Sequence, residues 1–384
     1  MSELPNMPKN LEAKTELVPT EALDRQESYV DHELEIRCQD LRAELEARVA
    51  SKSFDNLLAL YPDAPKLPTE TAEMHLDLGA RSEMARERLS MLRDFAKTHW
   101  DYRKGQERQG QQVDDVLDHK PEVTNPHEPG YNPAAPWNVV FDATREFGMV
   151  DSTQPKYSHY DMLIVLGGAN RAPLQRTEYG LEQGVDVDAV ALLGSDRPVN
   201  DAERQKAVDY APQAQTEFDL MDGAAQTAIG VERRKTLTLS RVGYDHDDSS
   251  IPRVNYYRTR DNKSVFTLNA PTRPGMTRAN TDDTYALLRT AAGKSRLYPG
   301  AKVLVVTNAF VSAFQAIDAK RNIDLMTGAE TDTIGYDAAY GGVNRLPSQL
   351  LQETLSYIDS LVKLQDSLDK VETDNSASQY KLVA

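Results

Sequence analysis

The residues of this chain that could do chemistry gather at the ends of short apolar runs. After "DMLIVL" come Gly167, Gly168, Ala169, Asn170 and Arg171, with Arg176 a little over one helical turn further on. Glycine admits positive φ and, lacking a Cβ, lets a ligand reach main-chain amides. A helix beginning there exposes unpaired N–H groups and the positive end of its dipole, a setting for phosphate or carboxylate. Arg171 or Arg176 then adds a bidentate clamp. The alternative is a tight strand-to-helix turn with surface arginines. The spacing fits neither GxGxxG nor the P-loop.

Three further groups follow the same logic. Gly194 and Ser195 close the run "VDAVALLG", with Asp196 and Arg197 able to pair and Asn200 able to cap the next helix. In "AQTEFDLMDGA", Asp219 and Asp222 suit a helix dipole. Glu217, behind Thr216 at a strand-to-helix junction, is the carboxylate chosen to contact a ligand hydroxyl or act as a base. "TRPGMTRANTDDTYALL" supplies Asn280 or Thr281 as an N-cap and Asp282 and Asp283 in the first turn, and Arg278, Asn280 and Thr281 are expected to line the same crevice as Gly167-Gly168. Thr307 and Asn308 end "KVLVVTN" and either hydrogen-bond a ligand or cap the next helix.

No nucleophile–base pair stands out, and there is no GxSxG. His159 precedes its strand, and His75 and His99 lie in helical patterns. His119 and His127 have no Cys or carboxylate partners at a recognised ligand spacing. Asp245, His246 and Asp247 sit in a solvated acidic loop. No metal site is therefore expected.

The elements that must position these groups can be read from periodicity. Strands are expected at 161–167, 187–194, 235–242, 302–308 and 331–337. Helices are expected at about 171–183, 200–210, 218–231, 281–293, 309–321 and 347–366. Runs 162–166 and 303–306 are continuously apolar and rich in branched residues, as in parallel strands covered on both faces. Alternation of strand and helix predicts a three-layer α/β/α fold with a mainly parallel, Rossmann-like sheet. "NYYRTRDNKSVFTL" predicts a hairpin turning at Asp261-Asn262, as an insertion or edge ribbon.

Around that domain (137–366) the pattern differs. Residues 1–113 read as a helical N-terminal module, with Leu34, Cys38, Leu41, Leu45 and Val49 on one stripe and Met74, Leu78, Ala85, Leu89, Leu92 and Ala96 on another. Residues 114–136 are proline-rich and read as a linker; 367–384 read as a flexible tail.

Composition narrows the partners. The 384 residues carry a formal charge of −16, which disfavours a nucleic-acid partner but leaves room for a small anionic ligand at a local cationic cluster. The single cysteine, Cys38, cannot form an intrachain disulfide. No signal peptide and no apolar run of membrane-spanning length is seen, so the expected setting is cytoplasmic, with no membrane partner.

Taken together, these pieces resemble the YdcF/SanA/ElyC-like family, Rossmann-like α/β domains of largely undefined function. The shared order covers about residues 160–337. A strand ends in Leu166-Gly167-Gly168, a helix carries Arg176, "ANTDDTY" starts another helix, and a strand ends in Val305-Val306-Thr307. The chain departs from the family pattern in three segments. Gln175-Arg176 stands where the family has Glu-Arg, and Asp283 stands where it has a glutamate. Val311 and Phe314 stand where it has a His and an Arg, so chemistry by that pair is not carried over. The resemblance implies a crevice for a nucleotide-like ligand or S-adenosylmethionine and sets Asp283 in the place of the family glutamate; Asp283 and Glu217, the latter chosen from its strand-to-helix junction, are the catalytic candidates. A transferase or hydrolase is one expectation. A non-catalytic sensor or scaffold, using the N-terminal helices to bind a protein partner, is the other.

Overall fold

The computed structural model describes residues 20–69, 78–102, 117, 120–123, 125–238, 252–273, 275–276, 279–292, 295–342 and 345–383. Met74, His75, His119, Arg278 and the loop holding Asp245, His246 and Asp247 lie outside them.

The helices α1 (Thr20–Val49), α2 (Lys52–Leu58), α3 (Leu78–His99) and α4 (Pro136–Glu146) lead into the sheet. There follow β1 (His159–Tyr160), β2 (Met162–Val165), α5 (Ala172–Glu182), β3 (Asp186–Val187) and β4 (Ala189–Ser195). Next come α6 (Asp201–Lys206), α7 (Glu217–Ala224, ending in a π-turn at Ala225–Ile229), β5 (Glu232–Thr238), β6 (Arg253–Arg258) and β7 (Ser264–Ala270). The chain closes with α8 (Thr281–Ala292), β8 (Lys302–Asn308), α9 (Ala309–Ala319, with a π-turn at Lys320–Asp324), α10 (Leu325–Thr327), β9 (Glu330–Tyr336), α11 (Ala338–Gly341) and α12 (Pro347–Val383).

Seven strands form the main sheet in the order β5-β6-β7-β4-β2-β8-β9. From β7 to β9 every neighbour is parallel, while β5-β6 and β6-β7 are antiparallel. The fold is thus α/β, as expected. The hairpin turns where Asn262 takes φ +68°, a left-handed conformation that asparagine tolerates. Its second strand does more than an edge ribbon would. β7 pairs with β4 along its whole length, from Ala189–Ser264 to Ser195–Ala270, so the hairpin is built into the sheet.

Every residue of β2 and β4 is buried. Alternation divides them: Leu163, Val165, Val190 and Leu192 face the layer of α5 and α7, whereas Met162, Ile164, Ala191 and Leu193 face α8 and the end of α9. The chain leaves β2 for β4 on one side and later returns to lay β8 on the other, so the strand order reverses between β2 and β8. In such sheets the crevice outside the carboxyl ends opens at that reversal.

The N-terminal helices are not set apart from this body. Cys38, Leu41, Leu45 and Val49 of α1 share a core with Leu89, Leu92 and Ala96 of α3, with Leu351, Ile358 and Leu361 of α12, and with Ala313 and Ile317 of α9. The stripe that a partner would have needed is covered by the chain's own C-terminal helix. The tail also differs from expectation. α12 runs unbroken to Val383 because Leu364, Leu368 and Val371 continue its apolar stripe, and Arg42 of α1 holds Asp369 and Glu372 at 3.0 and 2.7 Å. Leu117 and Lys120, in the expected linker, pack on α4: Trp137 Nε1 donates to the Leu117 carbonyl at 2.6 Å.

Candidate anion-binding cavity

A cavity of about 930 Å³ opens at the reversal between β2 and β8, within the size range of small-molecule sites. Its floor is the turn after β2 (Ala169, Asn170, Arg171), the start of α5 (Ala172, Gln175, Arg176) and the junction of β8 and α9 (Asn308, Ala309, Phe310). Tyr336 and Asp337, at the end of β9, form one wall. Lys120, Trp137 and Phe141 from the α4 side, with Arg345, Leu346 and Leu350 at the start of α12, form the other.

Local rules explain these positions. α5 begins Ala172-Pro173, where proline's missing N–H costs nothing. Asn170, not a glycine, supplies the left-handed turn, at φ +57°. α9 starts directly against β9 because Gly335 has no Cβ; one placed there would lie 2.6 Å from the Ala309 nitrogen. Neither α5 nor α9 has a side-chain N-cap hydrogen bond, and neither carries an acidic residue in its first turn. Two helix N-termini therefore bring unneutralised dipole ends to one cavity.

The charged lining is lopsided. Lys120, Arg171, Arg176, Lys206 and Arg345 are cationic, and Asp337 alone is anionic. Arg176 is only 6 % exposed. Its Nη1 donates to the Leu166 carbonyl at 2.9 Å and to the Gly167 carbonyl, but its buried Nε has no partner. Among the described residues, neither Arg176 nor Arg345 has an ion-pair partner. Burial pushes both guanidinium groups below their ordinary range, and Arg176 lowers Arg345 further by direct repulsion. The side-chain oxygen of Asn308 is likewise buried without a partner. Arg171, by contrast, is half exposed and paired with Asp209, so its charge is already engaged.

Of the residues singled out in the sequence, Asn170, Arg171, Arg176 and Asn308 line this cavity. The others do not join them. Gly167 and Gly168 lie just before the lining, and neither has positive φ. Gly167 is needed for close packing: a Cβ there would meet Glu217 Oε1 and the Leu193 carbonyl, each at 2.8 Å. Thr307 is fully buried within β8. Glu217 and Ser195 are bound to each other, Oγ to Oε2 at 2.6 Å, under the β2 turn. Asn280 and Asp283 form the N-terminal cap of α8, Asn280 N donating to Asp283 Oδ2 at 2.9 Å and Asp283 N to Asn280 Oδ1 at 3.0 Å, beside Thr281. Asp283 is also paired with Arg273. Asn200 caps α6 as expected, but Asp196 pairs with Arg253 and Arg197 with Glu203.

Lys120, Trp137, Tyr336, Asp337 and Arg345 were missed. Applying the strand-end rule to "TDTIGYD" as well would have found Tyr336 and Asp337. Lys120 and Trp137 follow only from how α4 folds back.

At the opposite, amino end of the sheet, His159, Asp161 and Asp188 offer ligand atoms within 4.8 Å of one another, a grouping the sequence reading did not make. Asp161 already accepts from Tyr298 at 2.5 Å and from the Lys302 amide at 2.8 Å.

No protein-family model matches this chain, and no solved structure matches it. It is similar to proteins described as uncharacterized from Mycobacterium bovis and from two strains of Mycobacterium tuberculosis, each 26 % identical over 236 residues. The match covers 59 % of this chain and 65 % of each relative. Among the described residues, no helix is long and apolar enough to cross a membrane.

Proposed function

We propose that this chain binds a small anionic, nucleotide-like ligand in the cavity between β2, β8 and β9. The observation that carries the reading is Arg176: a buried cation with an unpaired Nε, beside two helix N-termini that lack side-chain caps. An anion there satisfies the guanidinium and both dipole ends together. The order of strand ends shared with the YdcF/SanA/ElyC-like family lends further support. If the site performs transfer or hydrolysis, Asp337 is the carboxylate that lines it and can move a proton, in place of Glu217 and Asp283. A sensor role has one observation of its own. The cavity wall joins strand ends to α4 and α12, so an occupant would bear on the helical layer as well. A cytoplasmic setting, where such ligands abound, fits both versions.

A thermal-shift panel of nucleotides, sugar phosphates and S-adenosylmethionine, run on the native chain and on Arg176→Ala, tests the proposal. A ligand at 100 times its Kd adds about 2.7 kcal/mol of stability. A shift seen with the native chain and lost in the variant is the expected result. No shift from any compound, or an equal shift in both chains, overturns it.

A further inference from the structure

The charge and shape of the cavity narrow the ligand class, given the anion-binding reading above. From the lining, we infer that the ligand is a phosphate ester with an uncharged, nonpolar organic half, aromatic or aliphatic, that lies against Trp137 and Phe141. Cationic groups and rings adjoin one another in the lining. The Arg345 guanidinium carbon lies 4.1 Å from the centre of the Phe310 ring, and Lys120 Nζ lies 5.7 Å from the centre of the Trp137 ring. A phosphate between Arg176 and Arg345 has the Phe310, Trp137 and Phe141 rings in the same lining for the group it esterifies, alongside the polar Asn308, Tyr336 and Asp337.

The same lining disfavours a sulfonium ligand. S-adenosylmethionine brings a fixed positive charge and an ammonium group. Here both would meet a cationic lining with Asp337 as its single carboxylate. A phosphate ester brings the opposite sign, and the buried Arg176 and the half-buried Arg345, neither in an ion pair among the described residues, match a dianion better than a single carboxylate.

Tryptophan emission gives a direct readout. The chain has two tryptophans, and Trp100 is fully buried in the helical core, so Trp137 reports on the cavity. Calorimetry and fluorescence on the full chain would compare inorganic phosphate, phenyl phosphate, hexyl phosphate, glycerol 3-phosphate and S-adenosylmethionine. The expected result is that phenyl phosphate or hexyl phosphate binds at least about tenfold tighter than inorganic phosphate and glycerol 3-phosphate, with a change in emission. Trp137→Ala should remove that advantage and leave inorganic phosphate binding in place. Trp137→Phe should abolish the emission change and retain the affinity. A preference for phenyl phosphate over hexyl phosphate, or the reverse, tells an aromatic half from an aliphatic one within the same proposal. Equal binding of all the phosphates, or preference for S-adenosylmethionine, overturns this inference and leaves the anion site standing. Failure of every phosphate compound to bind removes the anion site itself.

Discussion

The carboxyl ends of the sheet divide into two halves that treat polar side chains in opposite ways. At the ends of β4 and β7 the groups close on one another. Asp196 accepts from Arg253 at 2.9 Å and from Asn269 at 2.7 Å, Ser195 donates to Glu217, and Asp283 is held by both Arg273 and the Asn280 amide. At the ends of β2, β8 and β9, Arg176 and Arg345 have no ion-pair partner among the described residues, and Thr307 Oγ1 and Asn308 Oδ1 have no hydrogen-bond partner there. A buried polar group left unpaired costs about 1–3 kcal/mol. Polar residues at strand ends are thus not evidence of a site in themselves. The difference lies in whether the fold has already satisfied them, and only the second half leaves capacity over for a ligand.

Four substitutions would break or sharpen this contrast. The largest effect is expected on the closed half, where Asp222 of α7 accepts from Asn255 and Thr267 at 2.7 Å each and from Tyr257. Asp222→Ala leaves those buried donors stranded and should destabilise the chain by about 4 kcal/mol in urea unfolding. A loss under 1 kcal/mol would show that this half is not held by its polar network. On the open half, Arg345→Met should weaken a phosphate ligand by roughly thirtyfold, the loss of a charged hydrogen bond of about 2 kcal/mol, without lowering the melting temperature of the free chain. A drop in stability there would mean that Arg345 serves the fold. Gly167→Ala places a methyl against Glu217 and the Leu193 carbonyl and should cost about 1.5 kcal/mol by overpacking. Unchanged stability would mean that the β2 turn has room it does not display. The smallest effect belongs to Thr307→Val, which removes a buried unpaired hydroxyl at nearly constant volume and should raise stability by about 0.5 kcal/mol. Destabilisation instead would reveal a partner for that hydroxyl.

Much of the fold was legible because periodicity is local. "KVLVVTN" at 302–308 coincides with β8, and the turn at Asn262 follows from its residue type. The site was legible only in part. Arg176 and Asn308 could be placed because both follow strands of a parallel sheet, and that sheet has one end where ligands bind. Glu217, Ser195 and Asp283 follow the same rule, yet their partners come from elsewhere in the chain, and sequence spacing does not show that Arg273 or Gly167 will sit against them. Arg345 and Trp137 depend on helices folding back across the sheet's end. The tail was misread because its polar surface masks the stripe of Leu364, Leu368 and Val371 that packs toward α1.

The central claim is that the unpaired cations at the ends of β2, β8 and β9 hold an anion. Isothermal titration of inorganic phosphate into the full chain and into an Arg176→Gln/Arg345→Gln variant, at low ionic strength, tests it most directly. The account predicts saturable binding at one site in the native chain and none in the variant, at a temperature where both are folded by circular dichroism. Equal binding in both, or none in either, would contradict it.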